Sequence, residues 1–217
     1  MMRSTRSRVR GSGNNINFVH ENTVAWPSCP DGMNAEMYSE LVTDVATQAY
    51  QTYQEKYRDV VNRGGQVLQY NDNERHEFRY VAFIPSAIIT STLQNGGGSY
   101  ALATNMSLQV GKDEGYMCAA YPERSAWSKA NASAQELTDD ATNFVKANLD
   151  VLSTPGMCLG TWISDEDPTK GQISWDISER IMDRNEAIQR GKERNQQAIF
   201  NLADGEDIAT GGTGMFS

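Results

Sequence analysis

The residues with the most chemical potential in this chain are Trp162, Asp176, Arg190, Arg194 and Asn195. A pocket uniting Asp176, Trp162 and Asn195 would suit a nucleotide-directed transferase or hydrolase using carboxylates of the 164–176 region. The arginines raise a different chemistry. The segment DRNEAIQRGKERNQQAIF, residues 183–200, carries Arg184, Arg190, Lys192 and Arg194, as a phosphate-gripping helix would. On a helical wheel, however, Ala187, Ile188, Gly191, Ala198, Ile199 and Leu202 share one face, so the helix is expected to pack on a core. Gly191 would allow close approach to the 157–178 hairpin. Glu186 precedes Arg190 by one turn and Glu193 lies among the other cations, so the polar face is partly self-neutralised. Asn195 falls within the apolar stripe. A buried amide needs hydrogen bonds, expected here from the backbone of the hairpin or of the Gly-rich tail.

Other patterns carry little chemistry. The glycine runs NGGG (95–98) and ATGGTG match neither a P-loop nor a dinucleotide fingerprint. His20 and His76 each precede a glutamate, without extending to HExxH. Cys29, Cys118 and Cys158 form no CxxC, and the apolar flanks of the last two predict inert core thiols. No metal or cofactor site is therefore expected. The acidic Ser164–Asp167 tip lacks the spacing of a calcium loop and suits solvated turn carboxylates. Arg79, Thr90-Ser91-Thr92 and Asp165–Asp167 could be assembled into a mono-ADP-ribosyltransferase, but only through arbitrary separations. Tyr38, Tyr50, Tyr53 and Tyr57 lack interleaved cations, which suits a core or an oligomer interface better than base stacking.

The net charge is -9, and Arg3, Arg6, Arg8 and Arg10 are four of the nineteen cations. The rest of the chain is thus more acidic still and repels phosphate backbones. Any nucleic-acid contact would run through that N-terminal arm, which could equally meet an acidic partner surface or remain solvated. With no apolar run long enough to span a bilayer and no secretory h-region, a cytoplasmic location without membrane association is expected.

The elements that must position these residues read as α+β. Residues 1–33 form a basic arm and an irregular segment, anchored by Phe18, Val19 and Trp26. One globular domain is expected over 34–203. Asn34 caps a long helix over 35–62, with Arg63-Gly64-Gly65 stopping it. An antiparallel meander is expected over about 66–121, with SAIITSTL as one strand and NGGG as a turn. AYPERSAWSKANA reads as a loop. Ser133 and Glu136 make a capping box for a helix over 133–152. A hairpin follows at 157–178, then a helix over 183–202 and a flexible Gly-rich tail, 204–217. Segregated strands and helices of this kind favour an antiparallel sheet.

The C-terminal half carries a resemblance. GYMCAAYPERS, NLDVLSTPGMCLGTWIS, GQISWDIS and DRNEAIQRGKERNQQAIFNLADGEDIATGG resemble small proteins of actinobacteria and their tailed phages. The matching positions include Gly115, Pro155, Trp162, Asp176, Gly191, Arg194, Asn195 and Gly212, over residues 115–212. The resemblance implies a phage or mobile-element origin, placing the protein in the host cytoplasm or the virion. It transfers no catalytic role. The expectation is a non-enzymatic accessory protein that binds protein partners or self-associates.

Overall fold

The computed structural model describes residues 16–20, 22–165 and 168–214. The fold is α+β, and the chain divides into two compact units, Met1–Phe83 and Ile84–Ser217. The division falls inside the 34–203 stretch that the sequence suggests as one domain.

In the first unit, β1 (Asn17–His20) pairs antiparallel with β2 (Thr23–Ala25), where the sequence suggests irregular structure. Asn34 caps α1 (Ala35–Lys56), its side chain accepting from the Met37 N–H at 2.9 Å. The helix expected over 35–62 breaks at Tyr57 (φ -103°) and resumes as α2 (Arg58–Asn62). β3 (Gln66–Asp72) and β4 (Glu77–Phe83) complete a sheet of order β1-β2-β4-β3. The apolar stripe of α1 buries Val45, Ala49 and Tyr53 against Val24, Val67, Phe78 and Tyr80. Burial of Val45 or Phe78 contributes about 1.5–3 kcal/mol. Tyr53 stacks on Tyr80, centroids 4.4 Å apart, and the Tyr80 hydroxyl donates to the Ala46 carbonyl at 3.2 Å. The helix tyrosines thus serve packing. Arg79 is buried with its charge met by Asp72 (2.6 Å) and Glu77 (3.1 Å).

The second unit opens with a helix where the sequence suggests a strand. SAIITSTL is not a strand but part of α3 (Pro85–Asn95). Pro85 fits the first helical turn, and Gly96 at φ 80° ends the helix, donating to the Thr92 carbonyl at 2.9 Å. Ile88, Ile89 and Thr92 are its buried face. NGGG is therefore a helix terminus leading into β5 (Gly97–Ala101), not a strand-to-strand turn, and the 66–121 meander is interrupted. β6 (Met106–Leu108) and β7 (Tyr116–Ala119) follow. The expected loop contains a 3-10 turn, Pro122–Arg124, and β8 (Ala126–Ser128).

The Ser133–Glu136 capping box starts α4 (Ala134–Ala147), which breaks at Asn148 before α5 (Leu149–Leu152). β9 (Met157–Ile163) and β10 (Ile173–Ile181) are the expected antiparallel pair. The last helix is shorter than expected: α6 spans only Arg184–Glu193. Asn195 adopts φ 52°, incompatible with a continuing helix, and residues to its C-terminal side form β11 (Ala198–Asn201) and β12 (Asp207–Ala209). Part of the expected flexible tail is thus a paired strand, and Thr210 beyond it is buried.

These strands form an antiparallel sheet of order β12-β11-β7-β10-β9-β5-β6, with β8 also on β10. Alternation along β10 divides its two faces. Ile173, Trp175 and Ile177 are buried on the helical side, where Trp175 Nε1 donates to Ser128 Oγ at 2.7 Å, and Ser128 to Asp140 of α4 at 2.6 Å. Thr92 and Thr161 join α3 to β9 on that side at 2.6 Å. Ser174, Asp176 and Ser178 project from the other side.

Candidate binding groove

That other side holds a groove of about 590 Å³. Its floor follows from strand register. Ser174 on β10 pairs with Trp127 of β8 on one side and with Trp162 of β9 on the other. Directly paired residues project from the same face, so the three stand in a row. Two residues along, Asp176 pairs with Gly160 of β9, which pairs with Ser99 of β5. A Cβ at Gly160 would lie 2.5 Å from Ser178 Oγ, so the floor there has no room for a side chain. Toward β11 and β12 the lining turns apolar, with Met117, Phe200 and Leu202, and ends at Asp207.

The tryptophans are unusual in this setting. Trp127 is 50% and Trp162 46% exposed, although both belong to paired strands. Indoles carry much apolar area, and here two of them stand half-exposed along one groove.

Asp176 is the groove's central polar group. Ser125 Oγ donates to its Oδ1 and Ser174 Oγ to its Oδ2. Loss of solvation pushes its carboxyl above the ordinary range, and the two hydroxyl bonds oppose that shift only in part. Asp207, at the far rim, is also pushed up by desolvation. Among the described residues, the lining includes no lysine, arginine, histidine or cysteine. Proton transfer or nucleophilic attack would have to rest on these carboxylates and neutral hydroxyls alone. Among the described residues, no group of histidine, cysteine and carboxylate side chains could hold a metal ion.

The residues singled out in the sequence separate into three places. Trp162 and Asp176 share the groove, one row apart, but Asn195 does not line it, although Gln196 and Gln197 do. Asn195 instead ends α6, where its Nδ2 donates to Thr213 Oγ1 at 2.8 Å and its Oδ1 accepts from the Thr213 N–H at 3.0 Å. The Gly-rich tail is thus a partner of this amide, while its expected place in a helical apolar stripe is corrected. Arg190 and Arg194 lie on the helical side. Arg190 bonds Glu186 at 3.1 Å and Glu179 at 3.4 Å, and Arg194 bonds Glu179 at 2.6 Å and the Ala119 carbonyl at 3.3 Å. These are structural ion pairs. Gly191 admits Thr210 and Ile199, whose methyls would lie 2.6 and 2.9 Å from an added Cβ; the close neighbours are the tail and β11, not the hairpin.

Arg3, Arg6, Arg8 and Arg10 lie outside the described residues, as do Glu166 and Asp167 of the acidic tip. Cys118 and Cys158 are buried, as their flanks predict, and burial pushes both thiols up, Cys158 to about 12. No helix among the described residues is long and apolar enough to cross a membrane.

Sequence reasoning missed Trp127, Ser125, Ser174 and Gly160. The available signal was ISWDIS, where Ser174, Asp176 and Ser178 alternate with Ile173, Trp175 and Ile177, a two-faced strand with a polar side. No protein-family model matches the chain, and no curated protein or solved structure matches it significantly.

Proposed function

We propose that this chain is a non-enzymatic interaction protein that receives a segment of a partner protein in the groove of its second unit. The observation that carries this reading is the row Trp127–Ser174–Trp162, two half-exposed indoles flanking a small residue beside a half-buried carboxylate. A volume of about 590 Å³ lies within the range of specific ligand sites. The combination of an aromatic rim with a small, hydroxyl-rich floor suits an extended main chain that needs hydrogen bonds along its length and pockets for its side chains. The sequence pattern over residues 115–212 supports a phage or mobile-element origin for such an accessory protein.

The test is an unbiased peptide array probed with the native chain and with a Trp127→Ala/Trp162→Ala variant. A set of peptides retained by the native chain and lost by the variant is the expected result. Retention of no peptide, or retention untouched by the double substitution, would overturn the proposal.

A further inference from the structure

The groove has a charge that no described residue around it answers. Asp176 and Asp207 line it, and among the described residues no basic side chain does. Several part-buried carboxylates of this molecule meet cations: Asp72 and Glu77 meet Arg79, and Glu179 meets Arg190 and Arg194. Among the described residues, Asp176 meets only the hydroxyls of Ser125 and Ser174. A carboxylate has about four acceptor positions, so two donors leave room for more.

The neighbours of Asp176 favour one kind of cation. Trp127 and Trp162 each stand one strand from Ser174, so their backbones lie roughly 10 Å apart by ordinary strand spacing. Two indoles at that separation leave space for one flat group between or above them. A guanidinium is flat, stacks on indole faces and presents its N–H groups as a fork to carboxylates. An ammonium has neither the plane nor the fork. Between the two tryptophans the floor carries only the small side chain of Ser174, which leaves the space above it to such a group. The groove then continues across β7 and β11 to Asp207 on β12, which pairs through Phe200 and Met117 in line with Arg180, so it lies three strands across and four residues along from Asp176, roughly 20 Å. A free amine would fill only one end of it; an extended chain rising about 3.3 Å per residue covers that distance in about six residues. The net charge of -9 adds long-range attraction for a cationic ligand.

We infer that the groove recognises an extended, arginine-bearing peptide segment of its partner, the guanidinium lying against Trp127 and Trp162 and pairing with Asp176. This rests on the interaction function proposed above and names the chemistry of the segment. Asp207 receives a second cationic side chain about six residues away.

The experiment is calorimetric titration of the full chain with capped octapeptides that differ only in two matched positions six residues apart, arginine, lysine, citrulline or glutamate. Free arginine amide and a neutral oligosaccharide serve as further ligands. The arginine peptide is expected to bind tightest, with lysine weaker and citrulline at least about tenfold weaker, the loss typical of one charge-assisted contact. Asp176→Asn should weaken the arginine peptide by about tenfold or more, and Trp127→Ala or Trp162→Ala by roughly fivefold each. Equal binding of the citrulline or glutamate peptide would overturn the cationic assignment while leaving a peptide groove intact. Free arginine amide binding as tightly as the peptide would overturn the extended ligand. Binding of the oligosaccharide alone, or of nothing, would overturn this inference and the proposed function together. Melting curves report whether each variant folds, and the ligand series decides the matter if one does not.

Discussion

Asn195 and Thr213 hold each other through two hydrogen bonds, amide to hydroxyl at 2.8 Å and backbone N–H to amide oxygen at 3.0 Å. The contact fastens the segment beyond β12 to the end of α6, and Asn195 does this from a left-handed conformation that asparagine tolerates better than most residues. Asn195→Ala should cost about 2 kcal/mol, from lost bonds and from the backbone penalty. Asn195→Gly, which keeps the backbone free, should cost roughly half as much. Thermal melts give the magnitudes. Hydrogen exchange should show faster opening of the β11–β12 amides before the rest of the sheet, and unchanged exchange there would argue against the clasp.

Asp176 predicts a stability change with pH. Burial raises its carboxyl above the unfolded value, near 3.9, so the folded chain binds more protons between the two values. Stability from this group therefore falls as pH rises through that window, and the deficit is complete above the folded value. Asp176→Asn removes it. The variant should melt at a higher temperature than the native chain at about pH 7 and lose that advantage below about pH 4. A lower melting temperature at neutral pH would mean that the bonds from Ser125 and Ser174 outweigh the desolvation.

Gly160→Ala should be destabilising by about 1–3 kcal/mol, because the new Cβ would sit 2.5 Å from Ser178 Oγ. Adding Ser178→Ala removes that oxygen and leaves a Cβ contact near 3.4 Å, so the double variant should recover much of the loss. A double-mutant cycle read from denaturant midpoints checks the coupling. Strict additivity would count against this floor geometry.

The cysteines should respond unequally to alkylation. Cys29 is exposed, whereas Cys118 and Cys158 are buried with raised thiols. Iodoacetamide under native conditions at neutral pH should modify Cys29 alone, with the other two reacting only in denaturant. Peptide mapping by mass spectrometry reads each site. Native labelling of Cys158 would contradict its packing.

Local signals made some elements legible and hid others. The capping box at Ser133, the Asn34 cap and the 157–178 hairpin write their geometry in a few adjacent residues, and all are present. SAIITSTL misleads because a short β-branched, apolar run suits a buried strand and a buried helix alike; Pro85 and Gly96 at its ends were the deciding marks. The 183–202 periodicity continues past Asn195 by coincidence, since Ile199 and Leu202 are core residues of a strand and the turn after it rather than of a helix. At the groove, Trp162 and Asp176 were named together with Asn195 as a possible pocket, and the first two share it. Trp127 was not, because its place beside Ser174 depends on β8 meeting β10 nearly fifty residues later in the chain. Sequence patterns record faces, not partners.

The alternation along β10 also separates what holds the protein together from what it meets. Positions 173, 175 and 177 are committed to the interior, while 174, 176 and 178 look into the groove. Related chains could therefore rewrite the second set, and change what they bind, while leaving the first untouched. The same alternation sets a limit. An insertion of a single residue within β10 would exchange the two sets, turning Trp175 outward and Asp176 inward. Such a chain can diversify freely by substitution but hardly at all by length.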